Sequence, residues 1–578
     1  MTELLTRWGS RLDPEAILPE YPRPQLVRDS YLNLNGRWDY AITPVEAIEP
    51  DRFDGTILVP FSPEAPLSGV DHQLLPDQRL WYRRTFQLPP GFRRDRVLLH
   101  FGAVDESCQV FLNGSSVGSH SGGYWPFHCD ITDALEDDTN TILIAVRDAS
   151  DTGGHARGKQ RLERGGIWYT AQSGIWQTVW LESVPTSHVT SLSVTPHLDD
   201  EAVEITVHSS GAEERAQITI RDGEQIVATA RINSGEPTII PLARPRTWTP
   251  EDPHLYDLTV NLGDDEVGSY FGMRSFGIGP DDAGVTRILL NGQPYFHAGV
   301  LDQGYWPDGL YTAPSDEAMI HDIATMKDLG YTMLRKHIKI EPLRWYYHCD
   351  RLGMLVWQDL VNGGGAADPV VARPPSGPHL DDTDLERFGR ADRGNRNEFR
   401  RQLRQTVALL RNVVSLAVWV PFNEGWGQFE ASAITEELAA LDPTRLIDHA
   451  SGWHDQGGGD FRSVHVYIDR FEPPTDADER ILALTEYGGY SLRVDGHVWG
   501  DEVFGYRGYE SEDELGAAFR ELHDEQVVPA IADGLSATVY TQLSDVEDEL
   551  NGLLSYDREV TKPTAALIRD VNRQLRLK

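Results

Sequence analysis

Two glutamates carry the chemistry this sequence offers. Leu416-Ala417-Val418-Trp419-Val420 is a continuous apolar run that breaks into Pro421-Phe422-Asn423-Glu424-Gly425. Ile481-Leu482-Ala483-Leu484-Thr485 does the same, leading into Glu486-Tyr487-Gly488-Gly489. Runs of this length and composition suit strands buried on both faces of a parallel sheet. An ionisable group at the end of such a strand is costly unless it has a task. In a barrel of alternating strands and helices, that end is where catalytic groups sit. Two strand-end carboxyls, one as acid and one as nucleophile or base, are the equipment for cleaving a glycosidic bond.

The elements that must position this pair begin near residue 278. From there strand patterns alternate with helical ones. The strands read as Tyr295–Val300, Met333–His337, Met354–Asp359, Leu416–Glu424, Leu446–Ser451, Ser463–Tyr467, Ala483–Tyr487 and Ala537–Leu543. Ser315-Asp316-Glu317 predicts an N-cap, followed by Met319, Ile323, Met326 and Leu329 at helical spacing. Further helices are expected over 396–412, 428–441, 511–533 and 561–575. Eight such units over residues 278–578 predict a (β/α)₈ barrel. The Gly/Pro/Asp-rich stretch from Asn362 to Arg393 reads as a long insertion after the third strand, on the catalytic face.

Upstream the pattern is all β. Residues 1–184 hold short alternating strands such as Trp81–Phe86, Arg96–Phe101 and Gln109–Leu112, with a hairpin signal at Asn113-Gly114. This predicts a two-sheet jelly roll of sugar-binding type. Residues 185–277 continue with Val189–Pro196, Ala202–Ser209, Ala216–Arg221 and Tyr256–Leu262. That rhythm predicts an immunoglobulin-like sandwich acting as a spacer.

Composition narrows the partners. The 578-residue chain carries 52 Lys and Arg against 90 Asp and Glu, for a formal charge of −38. Nucleic acid and anionic membrane are therefore not expected as partners. A glycoside or oligosaccharide is, and a homo-oligomer is left open. Cys108, Cys129 and Cys349 are too few and too oddly numbered for a disulfide framework. With no apolar leader segment, they point to reduced thiols in a cytoplasmic protein. Neither a metal-ligand cluster nor a cofactor motif stands out, so neither is expected.

The order and spacing of several short motifs resemble glycoside hydrolase family 2, the family of β-galactosidases, β-glucuronidases and β-mannosidases. They are Leu34-Asn35-Gly36-Arg37-Trp38, Ser173-Gly174-Ile175-Trp176-Gln177-Thr178-Val179-Trp180-Leu181, Phe271–Phe276 with Leu290–Pro294, Asn423-Glu424 and Thr485-Glu486-Tyr487-Gly488. The resemblance covers nearly the whole chain. It implies a retaining exo-glycosidase with Glu424 as acid/base and Glu486 as nucleophile. It further implies that Asn423 bonds the sugar 2-hydroxyl and that Tyr467 holds the nucleophile. Arg335 is placed to bond the nucleophile as well. His337, Asp359, Trp306 and Trp453, at or beyond strand ends, are candidates to line the sugar subsite. The bland alternatives are a capping Asn, a packed core tyrosine and a structural ion pair.

The pattern also breaks. Gly299–Trp306 replaces the Asn-x-His-Glu of galactosidases and glucuronidases, and Lys336–Pro342 replaces a Ser-His-Tyr-Pro box. Asn412-Val413-Val414-Ser415 stands for Asn-His-Pro-Ser, while Leu355–Asp359 is closer to the mannosidase branch. The carboxylate-binding Asn-x-Lys-Gly of glucuronidases reads Glu549-Leu550-Asn551-Gly552. A neutral sugar is therefore expected, β-galactoside first. A β-mannoside, a furanoside (β-galactofuranoside or α-arabinofuranoside) and a β-glucuronide are the alternatives. A non-catalytic carbohydrate-binding protein is disfavoured because both glutamates are kept.

Overall fold

The computed structural model describes residues 4–211, 214–373, 379–476 and 478–577. Residues 374–378, inside the expected insertion, lie outside them. Two antiparallel sheets make the first unit. One orders Leu32–Asn33, Val179–Val184, Arg96–Phe101 and Phe127–Asp130; the other has six strands centred on Gln78–Phe86 and Asn140–Arg147. Alternate residues of both sheets, among them Trp38, Tyr82, Leu99, Val110, Ile144 and Leu181, meet in one core. A second sandwich follows. It sets a three-stranded sheet starting at Val189–His197 against a four-stranded sheet ending at Asp265–Phe271.

The rest is a nearly closed barrel of eight parallel strands. They are β1 (His297–Asp302), β2 (Met333–Lys336), β3 (Leu355–Asp359), β4 (Leu416–Val420), β5 (Leu446–Ile447), β6 (Phe461–Val466), β7 (Ile481–Gly488) and β8 (Leu535–Thr541). Ladders join all neighbours except β5 and β6 among the described residues. Helices α1 (Asp316–Asp328), α2 (Leu343–Leu352), α3 (Arg393–Leu410), α4 (Ala431–Leu441), α5 (Glu512–Leu522) and α6 (Ala565–Asn572) surround it. The Ser315 side chain caps α1 by accepting from the Ala318 amide. Met319, Ile323, Met326 and Leu329 all enter the barrel core.

The element ends differ from the sequence expectation in an informative way. Strand β4 stops at Val420 and β5 at Ile447, well short of Glu424 and Ser451. Polar residues there leave the ladder to face the pocket, and only an isolated bridge links Asn423 to Ser451. The expected 511–533 helix ends at Leu522 and continues as a π-turn over His523–Val527 before Pro529. Among the described residues no helix is long and apolar enough to cross a membrane.

The jelly roll is seated directly on the barrel. Trp125 Nε1 donates to Thr406 Oγ1 at 3.1 Å, and Thr312 Oγ1 donates to the Trp176 carbonyl at 2.7 Å. The amides of Arg157 and Gly158 donate to the Asn362 carbonyl at 3.0 and 3.3 Å. A jelly-roll loop is thereby fixed at the rim of the barrel.

Candidate active site

Glu424 and Glu486 are brought together. One oxygen of each carboxyl and a His465 ring nitrogen all lie within 4.8 Å of one another. Both glutamates are buried, at 6% and 4% exposure. The local backbone is shaped for this. Glu424 has a φ of 50°, a left-handed conformation that a non-glycine residue adopts at a cost. It is fixed there by its amide, which donates to the Ser451 carbonyl at 3.0 Å. Glu486 interrupts the β7–β8 register between Leu484 and Tyr487, so its side chain turns inward at the strand end.

The two carboxyls have different partners. Arg335 Nη1 lies 3.4 Å from Glu486 Oε1, and the Tyr467 hydroxyl donates to Glu486 Oε2. Burial alone would raise the Glu486 carboxyl. His465 and Arg335, with the tyrosine bond, outweigh it and hold the group below the usual range. Glu424 goes the other way. Burial pushes it up and the neighbouring Glu486 adds to this, against a smaller opposing pull from His465. His465 Nδ1 stands 2.9 Å from Glu424 and 3.6 Å from Glu486.

A second layer holds the first. Arg335 clamps Asp359 with Nε at 2.9 Å and Nη2 at 3.2 Å. Its Nη2 also donates to Asn423 Oδ1 at 2.8 Å. That leaves Asn423 Nδ2 buried without a partner among the described residues. His337 Nδ1 sits 2.7 Å from Asp359. Burial, then the positive field of Lys159, keeps His337 well below its ordinary pKa and so neutral, with Nδ1–H donating. The Tyr467 ring stacks on Tyr506 at 3.8 Å.

Seven of the nine candidate residues thus converge: Glu424, Glu486, Asn423, Tyr467, Arg335, His337 and Asp359. Trp453 is half-buried in the β5–β6 loop, next to Gly452, whose missing Cβ would meet the His465 ring. Trp306 is not with them. It packs edge-on to Trp8 at 6.1 Å, under the Arg558 guanidinium at 4.1 Å, as part of the outer core. Its apolar ring is buried against the helices, which removes it from the subsite.

Sequence reasoning missed His465 and Lys159. His465 had a signal: it lies two residues before Tyr467, hence on the same face of β6, and pairs across to Glu486. Lys159 had none, because it comes from the jelly roll. Gly158, with φ of 62° and no room for a Cβ against the Ile338 carbonyl, presses this loop onto the barrel. The Lys159 ammonium lies 5.6 Å from the Trp426 ring and 5.5 Å from the Tyr169 ring, and is 6% exposed. No hydrogen bond or ion pair reaches it among the described residues.

The Glu424, His465 and Glu486 atoms are close enough to share a metal ion, as are those of Glu106, Asp148 and His155 in the jelly roll. At the first group Arg335 already supplies positive charge.

Two family models match the chain. One describes a glycosyl hydrolase 2 galactose-binding-domain-like unit and covers residues 65–176; the other describes glycosyl hydrolases family 2 and covers residues 187–274. Over these two segments the chain is similar to glycoside hydrolase family 2. Among family relatives, a β-galactosidase large subunit of Latilactobacillus sakei is 26% identical over 389 residues, or 64% of this chain and 57% of its own. A β-galactosidase of Vibrio vulnificus is 25% identical over 469 residues, 76% of this chain and 42% of that one. The chain thus spans about half the length of these curated relatives. Solved structures match almost end to end. A β-D-glucuronidase of Dictyoglomus thermophilum has a TM-score of 0.75 at 18% identity, covering 96% of this chain and 99% of that one. A family 2 β-galacturonidase of Eisenbergiella tayi bound to galacturonate has 0.71 at 19% identity, covering 96% and 99%. At such identity these two speak for the architecture.

Proposed function

We propose that the chain is a retaining exo-β-glycosidase acting by double displacement. The observation that carries this reading is the pair of buried carboxyls with oxygens within 4.8 Å and separate partner sets. That proximity fits the roughly 5–5.5 Å carboxyl spacing of retaining enzymes and leaves too little room for the water of an inverting one. Glu486, kept ionised by Arg335 and Tyr467, attacks the anomeric carbon. Glu424, kept protonated by burial and by Glu486, gives its proton to the departing oxygen. The glycosyl ester removes the Glu486 charge, so Glu424 can then ionise and take a proton from water. That water attacks the anomeric carbon and releases Glu486. Asn423 Nδ2, a buried donor without a partner, bonds a sugar hydroxyl beside the reacting carbon. Proton NMR of the first-formed product tests the scheme: the anomer is retained, and an inverted product overturns it.

The glycone read as best fit is neutral, β-galactoside first. Asn551 is fully buried between Gln542 and Glu549 and presents no cation. Lys336 is held by Asp302 and Glu341, and Lys339 by Glu341 and two carbonyls, so neither is left for a substrate carboxylate. One observation favours a second reading, a uronide: the unpartnered Lys159 ammonium, whose field is felt at Glu424. Aryl β-galactoside, β-mannoside, β-galactofuranoside, α-arabinofuranoside and β-glucuronide, compared by kcat/KM, separate the two. On the neutral reading glucuronide is worse by about a thousandfold, the cost of an unpaired carboxylate beside Glu486. A glucuronide preference abolished by Lys159→Met establishes the uronide reading instead.

A further inference from the structure

The surface of this chain is short of cations in a particular way. Of its 52 Lys and Arg residues only six are lysine, against 90 Asp and Glu. Lys159, Lys336, Lys339 and Lys562 are buried. Lys327 is half-buried, with its ammonium on the Pro250, Leu352 and Gly353 carbonyls. Lys578 lies outside the described residues. Among the described residues, then, no lysine ammonium is left at the surface. Where a surface acid is paired with Lys or Arg, the base is arginine. Arg94 bonds both oxygens of Asp29 at 2.8 and 2.9 Å, and Arg520 donates to Asp570 at 2.8 Å. Other acids stand exposed and adjacent to one another: Asp137-Asp138 in the jelly roll, Asp199-Asp200 in the sandwich and Asp501-Glu502 on the barrel. Among the described residues none of these six has an ion-pair partner.

We propose that this surface is built for concentrated salt: its partner is the hydrated potassium or sodium ion, and the fold reaches full stability only near or above about 1 M of it. A net charge of −38 repels itself and opposes the compact state. The screening length is about 10 Å at 0.1 M salt and about 3 Å at 1 M, so the repulsion between neighbouring acids fades only in the concentrated solution. The unpaired acids lie on all three structural units. A single basic protein would cover one face, whereas a dissolved cation reaches every one. The absence of surface lysine points the same way. An exposed lysine holds a four-carbon apolar stem in water, and conditions that strengthen apolar burial make such a stem a contact for other molecules. Arginine, with its planar fork, keeps bidentate bonds that an ammonium does not make. Adaptation to heat is a poor account of this composition, because that route enriches lysine together with glutamate. Folding carries the effect, so it holds whatever glycone the site takes.

The test follows thermal unfolding of the full chain by circular dichroism in KCl from about 0.1 M to about 2 M. Tm is expected to rise by about 10 °C or more across that range. A second protein combines Asp137→Asn, Asp138→Asn, Asp199→Asn, Asp200→Asn, Asp501→Asn and Glu502→Gln, which removes six of the excess negative charges. Its Tm is expected to exceed wild type by about 3 °C at low salt and to match it within about 1 °C at high salt. A wild-type Tm that does not respond to KCl overturns the proposal. If poly-lysine then raises Tm at low salt, a basic protein is the partner instead. A response to KCl that the six-fold variant shows undiminished also overturns it, because salt would then act on something other than these acids.

Discussion

Two buried charge clusters in this molecule use the same residue types for opposite ends. At the seam of the jelly roll and the sandwich, Glu182 accepts from Arg23 at 2.6 Å, Arg28 at 3.1 Å and Trp180 at 2.9 Å. Arg28 also clamps Asp265 through two bonds of 2.9 Å. Burial would raise Glu182, but Arg23, His100 and Arg28 drive it far below the usual range. Each acid there meets a base. In the barrel, Arg335 serves Asp359, Asn423 and Glu486, and among the described residues no lysine or arginine is bonded to Glu424, whose partner is the His465 ring. The carboxyls split in opposite directions as a result. Full pairing makes a clamp. Two carboxyls driven apart make an acid and a nucleophile.

The same substitution at each cluster breaks the comparison most directly. Glu486→Gln removes the proposed nucleophile and is expected to lower kcat on the order of 10⁴-fold or more. The unfolding midpoint should stay close to wild type, because Arg335 keeps its bonds to Asp359 and Asn423. Both are read from initial rates and a urea melt on one preparation. Activity near wild type would take Glu486 out of the mechanism.

Glu424→Ala probes the other carboxyl. With an activated aryl leaving group, formation of the ester survives and its hydrolysis stalls. Azide, which needs no general base, should restore turnover and yield a glycosyl azide of retained configuration. Its pH profile should lose the basic limb, since that limb is the ionisation of a carboxyl raised by burial. Equal losses on every leaving group without azide rescue would assign Glu424 a structural role.

How much of this was legible depends on distance along the chain. The pair of carboxyls that the barrel brings together stood out because a charged residue following a five-residue apolar run is unusual on its own. Arg335, His337 and Asp359 were legible for the same reason, as strand-end residues of β2 and β3. Strand periodicity could have supplied His465. Lys159 was beyond reach, because its meeting with Trp426 depends on how the jelly roll docks. Trp306 was misplaced for a related reason: position past a strand end says nothing about which way a side chain turns. It turned outward, to Trp8 and Arg558.

A milder change sharpens the contrast inside the barrel. Tyr467→Phe keeps the stack on Tyr506 but deletes the hydroxyl that donates to Glu486. A bond that favours the ionised form is lost, so the Glu486 carboxyl rises. The acidic limb of kcat/KM against pH should move to higher pH while the basic limb, set by Glu424, stays. At the optimum a loss of about ten- to a hundredfold is expected, the scale of one charge-assisted bond of 1.5–3 kcal/mol. A uniform drop with both limbs fixed would mean that Tyr467 only packs.

The smallest effect on turnover, and the clearest on folding, belongs to Glu182→Gln. The side chain has no exposure, and its removal leaves Arg23 and Arg28 short of a buried counter-charge. Breaking a buried pair from one side costs about 3–5 kcal/mol, expected as a lower urea midpoint. Activity per folded molecule should not change, since Glu182 acts at the seam, where its partners are Tyr21, Arg23, Arg28 and Trp180. The pH dependence fixes the cause. Glu182 is depressed in the folded state, so its stabilisation is complete above the unfolded value of 4.5 and fades as pH falls through the lower folded value. The gap between wild type and variant should therefore be constant from neutrality down to about pH 5 and shrink below it. A gap that persists unchanged in acid would show that shape, and not charge, is what Glu182 contributes. The contrast with the barrel cluster would then lose its electrostatic basis.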